Sequence, residues 1–147
     1  YQVIVLPAYD HNLTSRRVTA AKLYWADLGL QRTLSGFRGL LTREMVANHV
    51  VAEIWKYVNT LGLEAKLSHY RTRSGMDVDL LVDTPLGLLG CVIRATSRVT
   101  PADAAPLRRV AKAAGSLWLG GLIIHRGTRC EPLAENLWSI PSWRLFS

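Results

Sequence analysis

Two uninterrupted apolar runs, residues 86–93 and 117–124, constrain this chain more than any other feature. Neither approaches the roughly 18–20 apolar residues that a membrane-spanning helix needs. Each suits a buried strand. The turn Asp83-Thr84-Pro85-Leu86-Gly87 precedes the first run. It predicts a hairpin between a strand over 78–83 and one over 88–95. Another strand is predicted over 67–72, and shorter ones over 2–6, 22–27 and 137–140.

Helices punctuate these strands. Thr42 is a fitting N-cap, and Glu44 suits the positive end of a helix dipole. The helix it opens is predicted to run to Thr60, before Gly62. Steps of 100° put Val46, Val50, Ile54 and Tyr57 on its apolar stripe, with Glu53 in the middle. A carboxylate is unexpected there, because burying an unpaired charge is costly. Pro101 opens a second helix, through Ala114, whose polar side carries Arg108, Arg109 and Lys112. The order of helix, three strands, helix and strand predicts an α/β fold with a mixed β-sheet flanked by helices.

The formal charge of +7 comes from 18 basic and 11 acidic residues. It favours an anionic partner such as DNA. Arg71, Arg73, Arg98, Arg108, Arg109 and Lys112 are the candidate DNA-binding side chains. Cys91 lies in an apolar run and Cys130 in a polar turn. The pair reads as two free thiols in a reducing, cytoplasmic compartment, too few for a zinc site. His11, His49, His69 and His125 have no metal-ligand spacing, and His49 is expected to be packed. No phosphate-binding Gly-x-x-x-x-Gly-Lys-Ser/Thr loop or nucleophile elbow is present.

Asp77 and Asp79 alternate along a predicted strand and so face one side. Val92 and Arg94 share a face of the strand that follows. Glu53, Asp77, Asp79 and Arg94 are therefore expected to converge.

The residues 22–30, Lys-Leu-Tyr-Trp-Ala-Asp-Leu-Gly-Leu, form one motif. The others are Asn48-His49-Val50-Val51-Ala52-Glu53 and Tyr70-Arg71-Thr72-Arg73-Ser74-Gly75-Met76-Asp77-Val78-Asp79. In this order they resemble the uncharacterised domain that follows the ATPase and winged-helix segments of many bacterial and archaeal AAA+ proteins. That domain is similar to the PD-(D/E)XK, or restriction-endonuclease-like, nucleases. The resemblance implies that residues 1–20 end a preceding winged helix and its linker, and that 21–147 form the nuclease-like domain. The opening on an apolar strand without Met agrees with an excised piece.

In nucleases of this kind a strand reading Glu-Val-Lys follows the Asp. The Asp and that Glu hold Mg²⁺, and the Lys helps position or activate the attacking water. Mg²⁺ requires hard oxygen ligands in near-octahedral geometry. Here Val92 replaces the Glu, Arg94 replaces the Lys, and Ala47 replaces a first helix Glu. Arg94 cannot act as a base. The expectation is a non-catalytic accessory domain of an AAA+ ATPase, binding DNA or a protein partner, without a cofactor or membrane. Arg94 is expected to stand in for the metal's charge and pair with Asp79, Glu53 or both. Two alternatives remain. One is an active Mg²⁺-dependent DNA nuclease with Asp79 as its metal ligand. The other is a docking or oligomerisation module.

Overall fold

A computed structural model describes residues 3–11, 13 and 17–147. Two short strands, β1 (Val3–Leu6) and β2 (Lys22–Trp25), pair antiparallel as a separate sheet. They are followed by α1 (Leu28–Ser35) and α2 (Arg43–Thr60). Three strands succeed them: β3 (Lys66–Arg71), β4 (Asp77–Thr84) and β5 (Gly87–Ile93). A 3₁₀ turn over Pro101–Ala104 leads into α3 (Ala105–Ala114). The chain ends with β6 (Trp118–His125), β7 (Glu131–Ala134), β8 (Leu137–Pro141) and the single turn α4 (Ser142–Leu145).

The main sheet has six strands in the order β3-β4-β5-β6-β8-β7. β3, β4 and β5 run antiparallel in sequence, and β6 and β8 each lie parallel to their inner neighbour. The two apolar runs are β5 and β6, side by side at the centre. An apolar cluster lies on each face. One joins Val46, Val50 and Val51 of α2 to Leu80, Cys91, Ile93 and Ile124. The other joins Leu107 and Val110 of α3 to Val78, Leu81, Val92 and Ile123. This is the mixed α/β arrangement, a sheet with helices on both sides, that the sequence predicts.

Thr42 caps α2, its hydroxyl accepting from the Met45 amide at 3.3 Å. The phase of the helix differs from the expected stripe. Its buried residues are Met45–Asn48 and Val50–Ala52, with Ile54 and Trp55 partly covered. Tyr57 is 64% exposed, so the stripe turns away from Glu53. His49, expected to be packed, is exposed and meets the Phe146 ring edge to face.

Residue 20 is not a boundary between separate cores. Ile4 and Leu6 of β1 are buried in the same cluster as Tyr24 and α2. The chain beyond β1 also runs along the outer edge of β3. The Tyr9 amide donates to the His69 carbonyl, the His69 amide to the Pro7 carbonyl, and the Val18 amide to the Arg71 carbonyl. No helix among the described residues is long and apolar enough to cross a membrane.

Candidate functional site

The strand ends define one rim of the sheet. β3, β5, β6 and β8 finish there, at Arg71, Ile93, His125 and Pro141, and β4 begins there at Asp77. α2 starts at the same rim, where Arg43 reaches Asp79.

Asp79 is 1% exposed. It sits in a bulge, because the pairing shifts between Ser68↔Leu81 and Tyr70↔Val78. Asp79 and Leu80 therefore oppose the single residue His69. A bulge of this kind re-aims side chains and interrupts a ladder. Here it ends the β4–β5 pairing at Leu80↔Cys91. The Ile93 amide donates instead to Asp79 Oδ2 at 2.7 Å. Arg43 Nη2 lies 3.2 Å from Oδ1 and 3.5 Å from Oδ2. Burial pushes the Asp79 carboxyl above its usual range, and Asp77 adds to this; the Ile93 amide and Arg43 oppose it without cancelling it.

Of the remaining expected site residues, Asp77 lies near Asp79, whereas Glu53 and Arg94 do not gather with it. Lys22 Nζ of β2 holds Asp77 Oδ1 at 2.9 Å. Glu53 pairs with Lys56 at 2.8 Å on the outer side of α2. It stands ten residues beyond Arg43, roughly 15 Å along the helix axis. Arg94 does not pair with Asp79 or Glu53. Its Nε donates to Asp103 Oδ1 at 3.1 Å, and its Nη1 donates to the Ile93 carbonyl. The reason is local: Asp103 closes a capping box with Thr100 at the start of the 3₁₀ turn, within reach of the strand end. Burial raises the Asp103 carboxyl, but the Thr100 amide, Arg94 and the Thr100 hydroxyl outweigh it and hold it below its usual value.

A divalent metal does not fit this arrangement. Asp79 is taken up by a guanidinium and an amide, and Asp77 by an ammonium. Val92 is fully buried in the cluster on the α3 face, away from α2. Among the described residues, no three His, Cys, Asp or Glu side chains gather closely enough to hold a metal.

Other expected residues are exposed. Arg71 and Arg73 lie at the β3–β4 turn, Arg98 in the loop after β5, and Arg108, Arg109 and Lys112 on α3. Arg108 Nη1 donates to the Pro101 carbonyl at 3.4 Å. Cys91 is buried and Cys130 exposed, both as free thiols. Burial pushes the Cys91 thiol up to about 12.

Three residues of the site escape the sequence reading. Arg43 is signalled weakly, as a cation at the positive end of a helix, where it is disfavoured without a partner. Lys22 sits in the first motif without any sign of its role. Arg126 follows the buried strand β6 directly, and nothing in the sequence places it beside Arg98.

The fold and the site together define a mixed α/β domain with a rim closed by ion pairs. The chain belongs to the DUF4143 family, a domain of unknown function, whose match covers residues 44–145, from α2 to α4. No curated protein and no solved structure gives a match.

Proposed function

We propose that this chain is a non-catalytic, restriction-endonuclease-like accessory domain that follows an AAA+ ATPase and winged helix, and that it binds DNA along the rim. The order of α2, antiparallel β3–β5, α3 and parallel β6 supports the nuclease-like reading. The observation that carries the function is the charge balance at the rim. Glu44, in the first turn of α2, has no ion pair among the described residues, and four other carboxylates there each have a cation: Asp77 with Lys22, Asp79 with Arg43, Asp103 with Arg94, and Glu131 with Arg129. Arg71, Arg73, Arg98 and Arg126 remain as side chains with no ion-pair partner among the described residues. A row of free guanidiniums suits phosphates, which guanidinium forks bind in bidentate fashion.

The test is incubation of the 147-residue chain with DNA. With plasmid and Mg²⁺ or Mn²⁺, no cleavage is expected. Cleavage that Asp79→Ala abolishes would overturn the non-catalytic reading. Binding is expected to weaken steeply as salt rises, because phosphate contacts release counterions.

A protein-docking role has its own support. Exposed Tyr57, Leu61 and Phe146 surround a cavity of about 620 Å³ between α2 and the C-terminus. Absence of DNA binding, or binding indifferent to salt, would favour that role.

A further inference from the structure

A second cavity, of about 710 Å³, opens at the rim beyond β5 and β6. Two loops build its walls, residues 97–101 and 125–129. They are tied together: the Arg94 amide donates to the Ile124 carbonyl at 2.8 Å, and the Arg126 amide to the Thr96 carbonyl at 3.0 Å. These bonds continue the parallel β5–β6 pairing past the strands. Gly127 permits the close approach, since a Cβ there would lie 2.4 Å from the Ser97 carbonyl oxygen.

His125 shapes the second loop from inside. Its ring is buried, Nδ1 accepting from the Gly127 amide at 2.9 Å. Nε2 therefore carries the proton and donates to the Arg129 carbonyl at 3.1 Å. Both ring nitrogens are used in holding the turn, so the imidazole serves as scaffold.

Three arginines line the cavity, Arg98, Arg126 and Arg129, together with Ser97, Thr100 and Thr128. Glu131 also lines it and neutralises Arg129 at 3.0 Å. Arg98 and Arg126 have no side-chain hydrogen bond or ion pair among the described residues. They stand on adjacent, mutually anchored loops, and the Thr100 hydroxyl on the same wall is already engaged with Asp103 Oδ2 at 3.0 Å. Among the described residues, no Trp, Tyr or Phe lines the cavity as a platform for stacking a base.

We infer that this cavity is a phosphodiester grip, in which Arg98 and Arg126 clamp the sugar–phosphate backbone of DNA without reading its sequence. The inference rests on the rim as a DNA surface and names where the backbone is held.

The test uses the 147-residue chain and fluorescently labelled duplexes of two unrelated sequences, titrated at several salt concentrations. The double variant Arg98→Ala, Arg126→Ala is compared with Lys56→Gln, Lys66→Gln. The second pair removes the same charge from the opposite end of the fold. The cavity variant is expected to bind both duplexes roughly tenfold or more weakly, with a salt slope shallower by about 2. The lysine variant should retain most of the affinity, and Arg98→Lys, Arg126→Lys should recover part of the loss. Equal losses in the alanine and lysine-site variants would overturn the grip, since net charge alone would then account for binding. Undiminished duplex binding by the alanine variant would overturn the grip and leave the DNA-binding role standing. A wild-type chain that binds neither duplex would remove both.

Discussion

Asn48 shows how one side chain can join two elements. It is buried, and its Nδ2 donates to the Trp25 carbonyl at 2.7 Å while its Oδ1 accepts from the Trp25 amide at 2.8 Å. The amide thereby pairs with β2 as a neighbouring strand would. Asn48→Ala leaves both Trp25 groups without partners, and each buried unsatisfied group costs about 1–3 kcal/mol. Chemical unfolding should show a loss of that order, whereas His49→Ala, at the exposed neighbour, should change little. Asp79 makes a prediction about pH. Its carboxyl is raised above 3.8 in the folded chain, so between 3.8 and the raised value the folded state holds more protons than the unfolded. Stability from this group is complete below 3.8 and is lost as pH rises through the folded value. Asp79→Asn should therefore gain on the wild type as pH climbs, measured as the difference in unfolding free energy across the range. A constant or shrinking difference would contradict it. The sequence identifies Asp79 as the remnant carboxylate, since the alternating Asp77-Val78-Asp79 is visible. It does not reveal Arg43 as the partner, because a contact between residues 36 positions apart depends on where α2 lands on the sheet.

Among elements, the β4–β5 hairpin depends on local chemistry. Thr84 Oγ1 accepts from the Leu86 and Gly87 amides at 3.2 Å each, and donates to the Gly87 carbonyl. Gly87 has φ 144°, and a Cβ there would lie 2.4 Å from the Leu117 carbonyl oxygen. Gly87→Ala should destabilise by roughly 1–3 kcal/mol from backbone strain alone, read from the denaturant midpoint. Turn chemistry of this kind is legible, and the Thr84-Pro85-Leu86-Gly87 turn is found where the sequence puts it. α1 is less legible, because none of its residues is buried and no core-facing stripe marks it. Its signals are its caps: Asp27 Oδ1 accepts from the Leu30 amide, and Gly36 is left-handed. β7 is hidden by Pro132, a residue tolerated on an edge strand but not in a sheet centre. The phase of α2 shifts because neighbouring Val50 and Val51 are both fully buried, which turns the stripe toward Trp55 and away from Tyr57.

At the scale of the molecule, β1 is integral to the domain. Ile4 and Leu6 are 2% and 1% exposed, and burying such side chains contributes about 1.5–3 kcal/mol each. A typical domain has only about 5–15 kcal/mol in total. Removing residues 1–20 should therefore weaken or abolish cooperative unfolding, as followed by calorimetry; a truncated chain melting like the intact one would contradict the shared core. The layered architecture is readable from the chain because its two longest apolar runs form the two central strands. The rim is not, because its ion pairs join residues from β2, α2, β4, the 3₁₀ turn, β7 and the loops after β5 and β6. The bonds that Pro7, Tyr9 and Val18 make to β3 have a further consequence. They occupy amide and carbonyl groups that a bare outermost strand would offer to another molecule. At the opposite side of the six-stranded sheet, β7 is short and interrupted by Pro132. Neither flank invites an added strand. A crowded solution of this protein should thus resist, at its six-stranded sheet, the ribbon-like growth that unshielded sheets undergo.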